Sequence, residues 1–251
     1  MHQLAIVIPV RNESAAMPSL LGKLAQTMQA YQGVHRVIVV DGASTDGTPQ
    51  AVRRYADGLH LEVIELTESR GLGGALEAGL QEALSAADVI VTMDGDDSHD
   101  PGTIPALLAA IEDGADLAIA SRFEPGGQEI GVAGHRKLLS HAASRLLRTL
   151  FPVGEAKDYS SGFRAYRATA LRSIADADGR LVTESGFSCM MELLLKLRSA
   201  GADVREVPLV LRYDLKPTES KMNIGHTIGR YLVVIGRNLP SAGRRPPKAR
   251  A

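Results

Sequence analysis

Four carboxylates fall within seven residues in Met93-Asp94-Gly95-Asp96-Asp97-Ser98-His99-Asp100, a density that repels itself unless a cation or solvent offsets it. Mg²⁺ and Mn²⁺ take such oxygen ligands, commonly one or two carboxylates completed by substrate phosphates. Asp94 and Asp96 are the expected metal carboxylates, and Gly95 between them has no side chain to hold a ligand at a distance. The plainer alternative is a solvated acidic turn in which Asp100-Pro101 starts the next helix. The apolar run Val89-Ile90-Val91-Thr92-Met93 directly before the cluster favours the metal, because it sets the acids at the end of a buried strand.

Two further polar loops also follow apolar runs. Val7-Ile8-Pro9-Val10 leads into Arg11-Asn12-Glu13, and Val39-Val40 leads into Asp41-Gly42-Ala43-Ser44-Thr45-Asp46-Gly47-Thr48. The small residues of the second loop leave room for a flat ring, and Asp41 can accept hydrogen bonds from a base or ribose. Turn and cap chemistry alone accounts for Thr48-Pro49, an N-cap followed by a first-turn proline. Arg70-Gly71-Leu72-Gly73-Gly74 is not a dinucleotide fingerprint, since Leu76 stands where the last glycine is needed. It reads as a glycine-rich helix start beside the cleft.

The elements that must carry these loops alternate. Val- and Ile-rich runs at 4–9, 36–40, 61–66, 89–93 and 117–120 read as strands buried on both faces. Helical patterns at 17–31, 48–55, 72–84 and 104–111 lie between them. Such alternation predicts an α/β fold with a mostly parallel central sheet flanked by helices, and ligands bind such sheets beyond the carboxyl ends of the strands. The second half is less regular. Helices are expected at 135–150, 188–200 and 224–239, a polar stretch at 158–167, and a single strand at 204–211. In the last helix Ile224, Ile228, Leu232, Ile235 and Leu239 form one stripe, from which Arg230 and Arg237 fall away. That stripe serves either docking on the domain or an interfacial contact with a membrane.

Composition removes several function classes. The chain has 251 residues with a net charge of −1, so nothing global points to nucleic acid. Cys189 is the single cysteine, which excludes an intrachain disulfide and favours a cytosolic setting. No window approaches the about 18 consecutive apolar residues of a membrane span. The expectation is a cytoplasmic protein, with peripheral contact at the inner membrane face as one reading of the last helix. The proline-rich basic tail, residues 241–251, reads as disordered.

Together, Val7 to Glu13, Val40 to Thr48 and Asp94-Gly95-Asp96 resemble family-2 glycosyltransferases of the GT-A fold. Ser121-Arg122-Phe123 with Gly126-Gly127, the run Asp158 to Arg167, Glu206-Val207-Pro208 and Glu219-Ser220-Lys221 narrow the resemblance to dolichol- or polyprenol-phosphate mannose synthases. It covers roughly residues 4–221, with the helix at 222–240 and the tail beyond. The resemblance implies that Pro9, Arg11, Glu13 and Asp41 hold the nucleotide of a nucleoside-diphosphate sugar. Asp94 and Asp96 would hold its diphosphate through the metal, with Ser98 where relatives often carry a glutamine ligand. Arg122 and Arg136 fall where relatives hold the acceptor phosphate, and Lys221 where a late lysine reaches the donor diphosphate. Three departures stand out. Gly42 replaces a second aspartate, Arg212 and Lys216 compete for the place of an arginine before Glu219, and the C-terminal membrane helices of some relatives are missing.

The implied reaction moves a hexose, mannose or glucose, with inversion from the nucleoside diphosphate to a polyprenyl or dolichyl phosphate. An anionic acceptor oxygen needs no strong general base. A hydroxyl or other soluble acceptor would need one, with Asp158, Glu184 and Glu192 as candidates, although Glu184 and Glu192 also suit ordinary helix positions. A nucleotidyltransferase would be expected to carry a glycine- and arginine-rich first loop, which Pro9-Val10-Arg11-Asn12-Glu13 is not. A non-catalytic nucleotide-sugar binder is disfavoured by the intact Asp94, Asp96 and Lys221.

Overall fold

The computed structural model describes residues 2–55, 58–217 and 224–239. Its strands are β1 (Leu4–Val10), β2 (His35–Asp41), β3 (Leu61–Glu65), β4 (Val89–Thr92), β5 (Leu117–Ser121), β6 (Gln128–Ile130), β7 (Arg164–Arg167), β8 (Val204–Pro208) and β9 (Val210–Arg212). Its helices are α1 (Met17–Gln29), α2 (Thr48–Arg54), α3 (Gly71–Leu84), α4 (Ile104–Glu112), α5 (Gly134–Leu150), α6 (Ala168–Asp178), α7 (Cys189–Ser199) and α8 (Ile224–Asn238).

The main sheet runs β3-β2-β1-β4-β7-β5-β8, parallel except for β7, which is antiparallel to both its neighbours. Side-chain alternation along β1 and β2 divides the core into two layers. Ala5, Val7, Ile38 and Val40 face α3, α6 and α7, while Leu4, Ile6, Ile8, Val37 and Val39 face α1, α2 and α4. The expected α/β architecture with helices on both faces is therefore present. β3 departs from the expectation of two buried faces, since Glu62 and Glu65 are exposed at this sheet edge, where charge discourages pairing with another chain.

The second half differs most from the sequence reading. The run 204–211 is two strands. β8 pairs with β5, and after Pro208 the chain crosses to a small second sheet where β9 pairs with β6. The polar stretch ends in β7, and α6 follows it directly. Thr48 is the first residue of α2 and not its cap. Gly47 holds the cap position at φ 84°, and the Asp46 carboxylate accepts the Thr48 amide at 3.0 Å.

α8 packs on the domain through Val234, which is buried, with Tyr231 and Ile235 beside it. Arg230 and Arg237 fall away from the apolar stripe, as expected, but do not stand unpaired. Both turn to the buried carboxylate of Glu184, a partner far upstream that helical periodicity cannot register. Among the described residues no helix is long and apolar enough to cross a membrane.

Candidate active site

The loops after β1, β2 and β4 meet at the carboxyl edge of the sheet and are knitted to one another. The Ser44 hydroxyl accepts the Asn12 amide at 2.8 Å, the Asn12 side-chain carbonyl accepts the Thr45 amide at 2.8 Å, and the Thr48 hydroxyl accepts the Glu13 amide at 2.9 Å. Among the described residues the non-glycine residues with positive φ are Asn12 (54°), Ala43 (60°) and Asp97 (64°), one in each of these loops. Left-handed backbone is strained for such residues and persists where surrounding contacts enforce it.

Asp41 is buried; its Oδ2 accepts the Ser44 amide at 2.9 Å, while its Oδ1 has no hydrogen-bond partner among the described residues. In the Asp94 cluster, expected to repel itself unless a cation or solvent offsets it, Asp96, Asp97 and Asp100 each have a separate hydrogen-bond partner, and the Asp94 carboxylate has His99 Nε2 at 3.8 Å. Asp97 takes both its oxygens to Lys23 Nζ, at 3.0 and 2.9 Å. Asp100 accepts the Gly102 amide and caps the 3-10 turn Pro101–Thr103. Asp94 lies beside His99, whose Nδ1 accepts the Asp94 amide at 3.2 Å and whose ring stacks on Phe163. Asp96 accepts from the Ser98 hydroxyl and, at 2.7 Å, from Lys216 Nζ.

Burial, reinforced by the neighbouring Asp96, pushes the Asp94 carboxyl above the usual range. Asp96 is partly desolvated too, but Lys216 and Ser98 hold it below that range. Gly162 packs against Asp94 so closely that a Cβ there would strike Oδ1.

The donor set fits a hard divalent ion. Among the described residues no group of three or more His, Cys, Asp and Glu side chains forms a ready cage. Two carboxylates with an open side leave the remaining positions to phosphate oxygens and water, the usual arrangement for Mg²⁺. The Lys216 ammonium on Asp96 already marks that position as one that favours a cation.

One cleft of about 710 Å³ joins these groups to an apolar arm. Its polar end is lined by Pro9, Arg11, Glu13, Asp94, Gly95, Asp96, Ser98 and Lys216, and its middle by Arg122, Arg136 and Asp158. Its far end runs between α5 (Leu139, Ala143, Leu146) and α8 (Ile228, Leu232, Ile235). Asp41 sits behind the lining, and Gly42 reaches the wall in its place. Arg212 is outside it, its guanidinium forked onto Asp214 with both contacts at 2.8 Å. Of the two candidates for the late donor contact, the structure therefore brings Lys216 to the site. Lys221 lies outside the described residues.

The two expected acceptor arginines are not equivalent. Arg122 is forked onto Asp158, with Nε–Oδ2 2.8 Å and Nη2–Oδ1 2.9 Å, and also meets Glu129 at 3.2 Å. This raises the Arg122 guanidinium further above its ordinary value, and Arg122 in turn holds the buried Asp158 carboxyl below its own. Arg136 makes no ion pair among the described residues and rests over the Tyr213 ring, 5.7 Å from its centroid. Lys216 Nζ lies 5.8 Å from the same ring.

The three candidate bases are engaged elsewhere. Asp158 holds Arg122, Glu184 holds Arg230 and Arg237, and Glu192 caps the Thr183 and Glu184 amides. Glu192 is buried, so its reading as a helix-surface charge does not hold. Cys189 is buried at the start of α7 and its thiol is pushed up to about 12 by that burial, which leaves it inert.

The sequence reading missed Glu129, Tyr213 and the apolar arm. Glu129 and Tyr213 sit in short segments without periodicity. The arm had a visible signal in the amphipathic pattern of α5, whose Leu138, Leu139 and Leu146 are exposed.

Comparison with known proteins shows the family and the fold. Undecaprenyl-phosphate mannosyltransferase of Micrococcus luteus is 36% identical over 233 residues, covering 92% of this chain and 91% of that one. Dolichol-phosphate mannosyltransferase of Pyrococcus furiosus is 32% identical over 231 residues, 92% of this chain but 62% of the longer archaeal protein. The fold matches glucosyl-3-phosphoglycerate synthase of Mycobacterium tuberculosis, solved with Mn²⁺, uridine diphosphate and phosphoglyceric acid. That match has a TM-score of 0.66 at 21% identity and covers 98% of this chain and 80% of that one; it places the chain among GT-A folds. Residues 5–175 match the family described as Glycosyl transferase family 2, and the chain belongs to that family.

Proposed function

We propose that this enzyme transfers a hexosyl group, mannosyl in the first instance, from a nucleoside-diphosphate sugar to the phosphate of a polyprenyl lipid. The observation that carries the reading is the single cleft that begins at Asp94 and Asp96 and continues as an apolar arm between α5 and α8. A sugar nucleotide fits the first part and an isoprenoid tail the second, so the two substrates would meet between Asp96 and Arg136. The relatives from Micrococcus luteus and Pyrococcus furiosus are named for this class of transfer.

In this reading Pro9, Arg11, Glu13 and Gly42 surround the nucleotide, with Asp41 behind them. Asp94 and Asp96 hold Mg²⁺ or Mn²⁺, which when bound offsets charge on the departing diphosphate. Ser98 orients Asp96 through its hydroxyl. Lys216, with Lys221, supplies positive charge where the diphosphate oxygens become more anionic. Arg136 binds the acceptor phosphate, and Arg122 shapes the floor beneath it through Asp158 and Glu129. The acceptor oxygen arrives ionised, which agrees with three candidate bases all committed to other contacts.

The same geometry supports contact with a bilayer. Exposed Leu138, Leu139 and Leu146 on α5, and Ile228 and Leu232 on α8, put apolar side chains on both helices that border the arm. Interfacial helices of this kind hold an enzyme at the headgroup boundary without a spanning segment.

The test is turnover of the full chain with a panel of guanosine- and uridine-diphosphate sugars, with and without undecaprenyl phosphate, each with Mg²⁺ and with EDTA. Metal-dependent formation of a prenyl-phosphate hexose is expected. Transfer to a soluble hydroxyl compound, with none to the lipid phosphate, would overturn the reading.

A further inference from the structure

The charged contacts of α8 converge on one carboxylate. Glu184 is 1% exposed. It accepts from Arg230 Nε at 2.9 Å and Nη2 at 2.7 Å, from Arg237 Nη1 at 3.0 Å and from the Ser188 hydroxyl at 2.8 Å. Arg230 and Arg237 stand seven residues apart, about two helical turns, and so share a face of α8.

The backbone that presents this carboxylate is fixed in turn. The Glu184 amide donates to Glu192 Oε2 at 2.8 Å, and the Ser185 carbonyl accepts the Gly73 amide at 2.9 Å. The Glu184 carbonyl lies where any Cβ on Gly73 would fall, so the segment is pressed onto the start of α3. That start borders the donor end of the cleft through Gly71 and Leu72. A rigid donor-side element thus reaches across to hold the helix that walls the acceptor side.

Apolar packing alone would hold α8 in a different way. Its Val234 is buried, but Ile228 and Leu232 remain 45% and 61% exposed and line the arm. Were the helix seated by that stripe, the arm would be filled by its own wall. Docking by charge on an adjacent face leaves the stripe open to a ligand. The fork is also directional, so it sets the distance of α8 from α5 more sharply than a greasy contact would.

We propose that Glu184 is a positioning residue for the acceptor: acting through Arg230 and Arg237, it sets the width of the apolar arm and thereby the enzyme's preference for long prenyl chains. This rests on the prenyl-phosphate reading above. Glu184 touches neither substrate in this scheme.

The experiment compares KM for undecaprenyl phosphate, for the short geranyl phosphate and for the sugar nucleotide in the wild type, E184Q, R230M and R237M, with R230K as the conservative variant. The wild type is expected to favour the long acceptor. E184Q and R230M should raise its KM by about ten- to a hundredfold, the scale on which a remote misplacement acts. The KM values for geranyl phosphate and the donor should stay within about twofold, near the background of a neutral surface change. R230K should recover part of the preference. R237M leaves the Arg230 fork in place and should shift the same ratio less, which keeps the proposal testable if E184Q does not fold. Equal changes in all three KM values, or a fall in kcat alone with both acceptors, would overturn the clamp. No turnover of either prenyl phosphate by the wild type would instead overturn the functional reading, and the clamp's role with it.

Discussion

The donor end of the cleft is assembled from loops that follow β1, β2 and β4 in succession along the chain. The acceptor end draws on β5, α5, the segment before β7, the turn after β9 and α8, which come together only through the antiparallel insertion of β7 and the crossing at Pro208. The two ends also handle charge differently. At the donor end Asp96, Asp97 and Asp100 each have a separate partner, and that of Asp96 is a lysine, which the proposed function would have a metal ion displace. At the acceptor end Arg122 is locked between two carboxylates and Arg136 is left over an aromatic ring. On the proposed function, the donor end would exchange a cation, and the acceptor end would keep one arginine fixed while offering another.

The sharpest way to break this comparison is at Asp96. Asp96→Asn should lower turnover by about a thousandfold, the loss of several kcal/mol of charge stabilisation at the diphosphate, with the melting temperature within a few degrees of wild type. Titration calorimetry with Mn²⁺ and nucleoside diphosphate should show metal-dependent binding lost. Lys216 separates two roles at the same spot. Lys216→Met should reduce turnover by about ten- to a hundredfold if it offsets diphosphate charge. It should at the same time strengthen Mn²⁺ binding without nucleotide, because the resident cation is gone. Weaker binding on both counts would mean that Lys216 supports the metal site and does not exchange with the ion.

The acceptor arginines should part company next. Arg122→Met breaks a buried pair and should destabilise the fold by about 3 kcal/mol, read by urea unfolding. That loss carries a pH signature. Arg122 depresses the folded-state Asp158 carboxyl, so the pair's contribution is complete above the unfolded value near ~4 and fades as pH falls through the lower folded value. The gap between wild type and variant should therefore be widest at neutral pH and narrow in acid. Arg136→Met should leave stability unchanged and raise the acceptor KM by about ten- to a hundredfold, the worth of a charged hydrogen bond to phosphate. Donor affinity should hold. Equal destabilisation by both variants would erase the distinction drawn from their partners.

The same contrast explains what the sequence could disclose. Val89 to Met93 feeding Asp94-Gly95-Asp96 is legible because a buried parallel strand ends where its loop begins, and β1 and β2 repeat the arrangement. Arg122 and Asp158 are 36 residues apart, and no periodicity tells that their side chains form a fork. β7 is hidden by composition: Arg164 is wholly buried, bonded to the carbonyls of Met190 and Tyr159, in a strand that reads as polar surface. The run 204–211 reads as one strand because its apolar pattern continues through Pro208, although its pairing partners change there. In α8 the stripe is visible, but the carboxylate that pairs with its arginines lies 46 and 53 residues away.

The smallest effect expected concerns how firmly the donor end is held before any ligand arrives. Ala43 sits at φ 60°, where an L-residue with a Cβ is disfavoured by roughly 1–2 kcal/mol. Ala43→Gly removes that strain but gives the unfolded chain more freedom, which offsets about 0.4–1 kcal/mol of the gain. The net change should be stabilising by at most about 1.6 kcal/mol, or up to roughly 3–6 °C in melting temperature for a chain of this size. Donor affinity distinguishes two sources of the loop's shape. The neighbouring amides of Asn12 and Thr45 are already hydrogen-bonded across the two loops, and that of Ser44 to Asp41 within its own, and those bonds persist in the glycine variant. If they hold the loop, nucleotide affinity should be unchanged while stability rises. A stabilised variant that binds nucleotide several-fold more weakly would show that the Ala43 side chain itself limits the loop's motion, and that the rigidity of the donor end rests on the strained residue more than on the bonds around it.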